Sequence, residues 1–551
     1  MNLILLHALL VLTHSQAQGS VLDWLPANTQ TVVMVDNFPQ AVELYQSAEH
    51  QESGSSFQER FAMEPDEVAD LIVGEFLRAE LIETDGTINE VAIAEVGAGI
   101  DDAIEKIHER LEQHGAQVTV ELFGAHEGRV ITRKGEDGTG NISVHLIHEG
   151  RMLLADSAAA ANAIITHLDA SDRSGLAQQR GFAEVWKQFS PQLVGDSLAI
   201  AWYADPWLKV RSRQHEAEKR EASRQEYLFA ERHGMTGIVG LGGSVVFGES
   251  GAETVQALAY APKALASSLQ MATHLTGTND LTLPVWISEA VAEVVVLHGN
   301  VDKALEHSGL LFDDGFADGL EGTYDEVLLD LKDLLDLDIK KELYPLLGPR
   351  LYLLHGAVEN RQWQPLLAAF EVQNAERASQ ILRILIADDP EATEVVLAEE
   401  SDRVWHVPGK HGGRDFVLGM LKGVAVYAND LEFAKAAMRF DESAALLPAD
   451  QLVASRDRAV EGVNARPSIL IVRKPSSEDQ TFSVHPLDLI FQGARFFTAH
   501  EGQAVKSMQW LPRRLTLLLA RHGVVVGFDE KDGWRFVAGT AGQTEEHQDA
   551  P

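Results

Sequence analysis

The sequence predicts an α+β protein of two similar halves, each a mainly antiparallel sheet covered by helices, with a long charged helix between them. Two observations carry this. The first is a repeated pattern: Leu22 to Ala48 (LDWLPANTQTVVMVDNFPQAVELYQSA) and Leu281 to His307 (LTLPVWISEAVAEVVVLHGNVDKALEH) each give a Leu-Pro pair, a spacer, a valine-rich apolar run, a turn and an amphipathic helix. The runs Val32 to Val35 and Val294 to Leu297 read as strands, and Asp36-Asn37 and Gly299-Asn300 as the turns that follow. The second is the alternation of single helices with strands joined by hairpins, which suits helices covering one face of a mainly antiparallel sheet.

Along the first half, Pro65 to Glu83 reads as a helix, with Val68, Leu71, Ile72, Glu75, Phe76 and Leu81 at roughly helical spacing. Glu90 to Val96 reads as a strand and Asp101 to Gln113 as an amphipathic helix with Ile104, Ile107 and Leu111 on one face and Gly115 as its stop. Gln117 to Leu122, Arg129 to Arg133 and Ile142 to Ile147 are strands, with a hairpin at Lys134 to Asn141. Arg151 to Ala155 and Ala158 to Leu168 close the half as a strand and a helix.

Between the halves, Ser197 to Tyr203 is a strand and Asp205-Pro206 is a helix start, the carboxylate capping and the proline entering the first turn. Trp207 to Arg232 is then a long helix in which glutamates interleave with lysines and arginines. The second half repeats the closing order. Leu366 to Val372 is a strand, Ala375 to Ala387 a helix, Glu394 to Leu397 and Arg403 to Val407 strands, Phe416 to Met420 and Val424 to Tyr427 a strand pair, and Leu431 to Phe440 a helix. Ser468 to Arg473, Leu515 to Ala520, Val524 to Phe528 and Trp534 to Ala538 are strands of the tail. The resulting partition is a signal peptide over 1–17, a first half over 18–196, a strand, charged helix and glycine-rich connection over 197–275, a second half over 276–465, a β-rich segment over 466–540 and a frayed tail over 541–551.

Lys and Arg total 45 against 83 Asp and Glu, and the formal net charge of −38 opposes binding to nucleic-acid phosphates or to an anionic membrane surface. The apolar run Leu3 to Leu12 followed by Ser15-Gln16-Ala17 reads as an export signal cut after Ala17, or left uncut as a tether. No later run reaches the roughly 18 apolar residues of a membrane helix. The chain has no cysteine, which removes disulfides, thiolate nucleophiles and thiolate metal sites.

Few motifs point to chemistry. Gly237 to Gly251 (GIVGLGGSVVFGESG) lacks the Lys-Ser or Lys-Thr end of a phosphate-binding loop, and its glycines read as a tight helix-to-strand connection. Ser244 falls outside the central position of a nucleophile elbow. Asp313, Asp314, Asp318 and Glu321 are hard oxygen ligands on a glycine-containing stretch and make a candidate calcium site, although their spacing differs from the twelve-residue calcium loop. The plainer reading is a solvated acidic loop before a helix that buries Val327, Leu328, Leu331, Leu334 and Leu335. His406 and His411 lack a matching third ligand nearby. No catalytic residue and no cofactor site is expected.

Several segments together resemble a family of exported planctomycete proteins of unknown function, often labelled membrane or secreted protein and related to bacterial exported proteins with Leu-Pro-Ala-Asp-Thr-type repeats. The likeness is carried by LPANTQTVVMV at Leu25 to Val35, SGLAQQRGFAEVWKQF at Ser174 to Phe189, AIAWYADPW at Ala199 to Trp207, HGMTGIVGLGGSVVF at His233 to Phe247, ALAYAPK at Ala257 to Lys263, LPVWISEAVAEVVVL at Leu283 to Leu297 and DIKKELYPLLGPRLYLL at Asp338 to Leu354. Ahead of Asp338 the chain departs from the family, with KDLLDLD in place of an Asn-Pro-Asn-Gly-Pro-type turn. The resemblance implies export and a repeated α+β fold and assigns no catalytic residue. The expectation is therefore a non-catalytic binding or structural component of the periplasm or cell envelope, its partner a protein or envelope component. The alternative is an exported hydrolase with a site assembled from distant residues at the junction of the halves.

Overall fold

The computed structural model describes residues 20–47, 65–474 apart from short internal stretches, the longest being 212–226 and 264–273, and 523–539. The expected signal peptide, the strand over 515–520 and the tail over 541–551 lie outside the described residues, as do most of the charged helix, the ends of the helices at Ala387 and Phe440, and the tip of the 134–141 hairpin. The described chain is mostly antiparallel strand with helices between, an α+β fold. It falls into two compact units, 20–211 with 240–246, and 227–239 with 247–474 and 523–539.

The first unit holds β1 (Thr29–Val35), β2 (Ile72–Ile82), β3 (Ile88–Val96), β4 (Gln117–Phe123), β5 (His126–Lys134), β6 (Gly140–His148), β7 (Arg151–Ala155), β8 (Ala199–Ala204) and β9 (Gly240–Phe247). Pairing gives the order β9-β8-β1-β2-β3-β7-β6-β5-β4, every neighbour antiparallel. Asn37 Oδ1 accepts from Gln40 N at 3.1 Å and starts the helix Phe38–Ser47 that follows β1. Helix Ile100–Gln113 buries Ile104, Ile107 and Leu111 and ends before Gly115, whose φ of +85° is a left-handed stop. β6 and β7 meet at His148↔Arg151, so Glu149-Gly150 is a two-residue turn with φ of +48° and +73°, the signature of a primed hairpin turn. In β7 and β8 every residue is buried. The centre of this sheet is therefore covered on both faces, where one covered face was expected.

The helix expected over Pro65 to Glu83 is real only as Pro65–Leu71; Ile72–Ile82 is strand β2. The apolar positions of this stretch fit either period. What decides is that β2 finds hydrogen-bonding partners on both sides, β1 and β3, and buries Arg78 and Glu80 between them. The glycine run is also corrected: Gly240 to Phe247 is strand β9 itself, with the connection before it. A Cβ on Gly242 would overlap Val185 Cγ1 and lie 2.8 Å from Trp202 O, and one on Gly240 would lie 2.9 Å from Gly181 O. Here the absent side chains let helix Arg180–Phe189 lie directly on the strand.

The second unit holds β10 (Glu253–Tyr260), β11 (Glu293–His298), β12 (Leu347–His355), β13 (Leu366–Val372), β14 (Thr393–Val396), β15 (Arg403–Val407), β16 (Phe416–Leu421), β17 (Val424–Ala428), β18 (Ile469–Arg473), β19 (Val524–Glu530) and β20 (Gly533–Gly539). Their order is β10-β20-β19-β18-β11-β12-β13-β17-β16-β15-β14, again antiparallel throughout. Burial alternates along β11, so Val294 and Val296 enter the core while Val295 and Leu297 are half-buried. Leu421↔Val424 leaves Lys422-Gly423 as a turn with φ of +49° and +78°. Helix Thr323–Leu335 docks through Leu328, Leu331 and Leu335. Val327 and Leu334, expected on its buried face, are 38% and 80% exposed because they flank the docked stripe. No helix among the described residues is long and apolar enough to cross a membrane.

Asp36, at the end of β1, is half-buried, and burial pushes its carboxyl up to about 6, with Glu75 adding repulsion. Its folded value lies above the ordinary 3.8, so the folded state gains stability as pH falls from about 6 toward 4 and lacks it at neutral pH. Asp36→Asn is expected to raise the melting temperature at pH 7, the gain over wild type vanishing near pH 4. A gain that is constant across that range contradicts the assignment.

Candidate functional site

The acidic candidates are engaged with donors of the protein itself. Asp313 is buried and accepts from Gly322 N at 2.8 Å and Tyr324 N at 2.7 Å. It supplies the side-chain cap that Gly322, the N-cap of helix Thr323–Leu335, cannot give. Asp314 takes Arg232 Nη1 on Oδ1 at 2.6 Å, and His233 Nε2 lies 2.6 Å from its Oδ2. Glu321 receives the other nitrogen of the same fork, Arg232 Nη2, at 2.5 Å. Asp318 and His411 lie outside the described residues. His406 Nε2 lies 3.3 Å from Asp415 Oδ2. Ser244 is fully buried in β9 and donates to Gln192 Oε1. Among the described residues, no three His, Asp or Glu side chains are arranged to hold a metal as they stand.

A concave site among the described residues of the second unit rests on residues whose roles were not legible in the sequence. Its cavity of about 420 Å³ is walled by Thr282, Pro284, Trp286, Arg350, Tyr352, Glu371 and the Lys422-Gly423 turn. The start of β12 is irregular: register shifts between Leu347 and Leu351, and Gly348 lets Glu371 approach, since a Cβ there would meet Glu371 Cβ at 2.7 Å. The shift presents Arg350 beside the mouth. Its Nη1 donates to Glu371 Oε1 at 3.2 Å and its Nη2 to Asp280 Oδ2 and Asp280 O, both at 2.7 Å. Tyr352 Oη donates to the same Glu371 oxygen at 3.1 Å, and the Trp286 ring meets Tyr352 edge-on at 5.4 Å. Arg350 Nε is buried and has no hydrogen-bond partner. Burial and then Glu371 push the Tyr352 hydroxyl far up, so it remains a donor at any ordinary pH.

The pocket thus offers a fixed guanidinium, a phenol, a carboxylate and an aromatic edge. It pairs no nucleophile with a base. The sequence signal that points here is Gly348-Pro349-Arg350 at the head of an apolar run, where glycine and proline break a strand and strand a charge. Glu371→Ala removes the acceptor that Arg350 and Tyr352 share and is expected to lower stability by about 1–3 kcal/mol in denaturant unfolding. An unchanged midpoint contradicts the shared role of Glu371.

Comparison with protein-family models, curated proteins and solved structures returns no match for this chain.

Proposed function

We propose that the protein is an exported, non-catalytic binding or structural component of the periplasm or cell envelope, built from two copies of one sheet-and-helix module, and that the Arg350 pocket holds its partner. The duplication is supported by a correspondence between the two strand orders. The order β9-β8-β1-β2-β3-β7-β6-β5-β4 reads, element for element, as β19-β18-β11-β12-β13-β17-β16-β15-β14. A helix follows β3 and β13, another follows β7 and β17, and another precedes β8 and β18. Details also coincide: Glu149-Gly150 matches Lys422-Gly423, and the bond Gly97 N to Leu71 O matches Gln373 N to Leu346 O.

Export is supported by the apolar start of the chain and by the resemblance of its Leu25–Val35 and Leu283–Leu297 segments to exported planctomycete proteins. The observation that carries the binding role is the pocket of fixed, mutually hydrogen-bonded polar groups without a nucleophile–base pair. Immobilised wild-type protein is expected to retain a component of an envelope extract that an Arg350→Met variant loses. Repeated failure to retain any component, together with turnover of ester, peptide or glycoside substrates, contradicts this and favours a hydrolase.

A further inference from the structure

A second concave site lies within the first unit, away from anything considered so far. Helix Ile100–Gln113 turns His108 toward β6, where His145 stands opposite Arg129 of β5. The two histidines are 8% and 3% exposed, and His108 Nε2 lies 3.1 Å from His145 Nδ1 with the ring planes 32° apart. They form the floor of a cleft of about 240 Å³ whose rim carries Asp101, Glu105, Glu127 and Arg129.

Three features of this cleft suit a dication. Two ring nitrogens bound to one metal at about 2.0–2.1 Å stand roughly 3–3.4 Å apart, close to the separation already present. Glu105 is exposed and precedes His108 by three residues, so Glu105-Lys106-Ile107-His108 sets a carboxylate and an imidazole on one helix face, the spacing used by carboxylate-bridged metal sites in helical bundles. The rim bears three carboxylates against one guanidinium, and that guanidinium is tied to Glu127, with Nη1 to Oε1 at 2.6 Å.

We propose that this cleft is a divalent transition-metal site in which His108 Nε2 and His145 Nδ1 are the fixed ligands and Glu105 swings in as the third. Two imidazoles and a carboxylate suit zinc, cobalt or nickel and leave positions open for water. Both rings bind neutral. The proton shared between them moves to the far nitrogen of its own ring, and none is released.

The test is calorimetric titration of the full chain with Zn²⁺ and Co²⁺ at pH 7, with the visible Co²⁺ spectrum reporting nitrogen ligation. One equivalent is expected to bind. His108→Gln and His145→Gln should each weaken it at least tenfold and Glu105→Gln about tenfold, on the scale known for perturbed metal shells. Glu112→Gln, on the same helix but off the cleft, should change nothing. Should a histidine variant fail to fold, the exposed Glu105→Gln decides. A wild-type chain that binds no metal, or variants that bind as tightly through some of the chain's 21 scattered histidines, overturns the proposal.

Discussion

Replacing Arg78 with alanine is expected to destabilise the first unit by about 3–5 kcal/mol, the cost of breaking a buried ion pair from one side. Arg78 is 2% exposed in the middle of β2, and its Nε donates to Glu90 of β3, itself 3% exposed. Glu80, two residues along, is 1% exposed and accepts from Thr31 Oγ1 of β1 at 3.1 Å. Glu80 and Glu90 face each other across the β2–β3 ladder. Without the guanidinium, two carboxylates stay in a dry interior with less positive charge to balance them. The double replacement Arg78→Met with Glu90→Leu should recover much of the loss, because it removes both charges and keeps volume. Denaturant unfolding at pH 7 measures both. A loss below about 1 kcal/mol for Arg78→Ala shows that the pair is not a keystone of the sheet.

The second large effect is expected at Gly242. Gly242→Ala puts a Cβ into Val185 Cγ1 and against Trp202 O, and should cost about 3 kcal/mol, near the top of the range for overpacking. The two obstacles can be separated. Val185 is a fully buried side chain of helix Arg180–Phe189, whereas Trp202 O belongs to the neighbouring strand and cannot yield cheaply. Val185→Ala in the Gly242→Ala background should therefore restore part of the stability, with a coupling of about 1 kcal/mol or more. Strict additivity contradicts direct contact between the helix and β9.

These two positions also show what could be read from the sequence. Where an element is local in cause, it was legible. The valine runs of β1 and β11, the amphipathic helix Ile100–Gln113 and the strands β4 to β7 and β13 to β17 follow from periodicity and turn residues. Where the cause is distant, it was not. The apolar spacing of Pro65 to Glu83 reads as a helix, and only the flanking strands β1 and β3 and the partner Glu90 make Ile72–Ile82 a strand in which Arg78 is buried. The glycines of β9 mark the closeness of a helix that lies more than 50 residues earlier in the chain.

The polar sites follow the same rule. Asp313 and Asp314 stood out as neighbouring carboxylates, yet one caps a helix and the other meets Arg232 and His233, roles set by tertiary placement. Arg350, Glu371 and Asp280 come from three separate segments that no short window contains. His108 and His145 lie on a helix and a strand with β4 and β5 between them in sequence.

The central claim is that one module occurs twice, and its topological signature is the closure of β3 on β7 and of β13 on β17 around an intervening set of strands. Because the chain has no cysteine, engineered pairs report this closure cleanly. Val91↔Ala155 and Leu367↔Ala428 occupy the same place in the two ladders, each one residue inside a hydrogen-bonded pair, at Asp156 N to Glu90 O and Asn429 N to Leu366 O. Mass spectrometry of the oxidised, folded V91C/A155C and L367C/A428C variants is the direct measurement. The account predicts that both disulfides form to completion. A pair that closes in one unit while its counterpart stays reduced contradicts it.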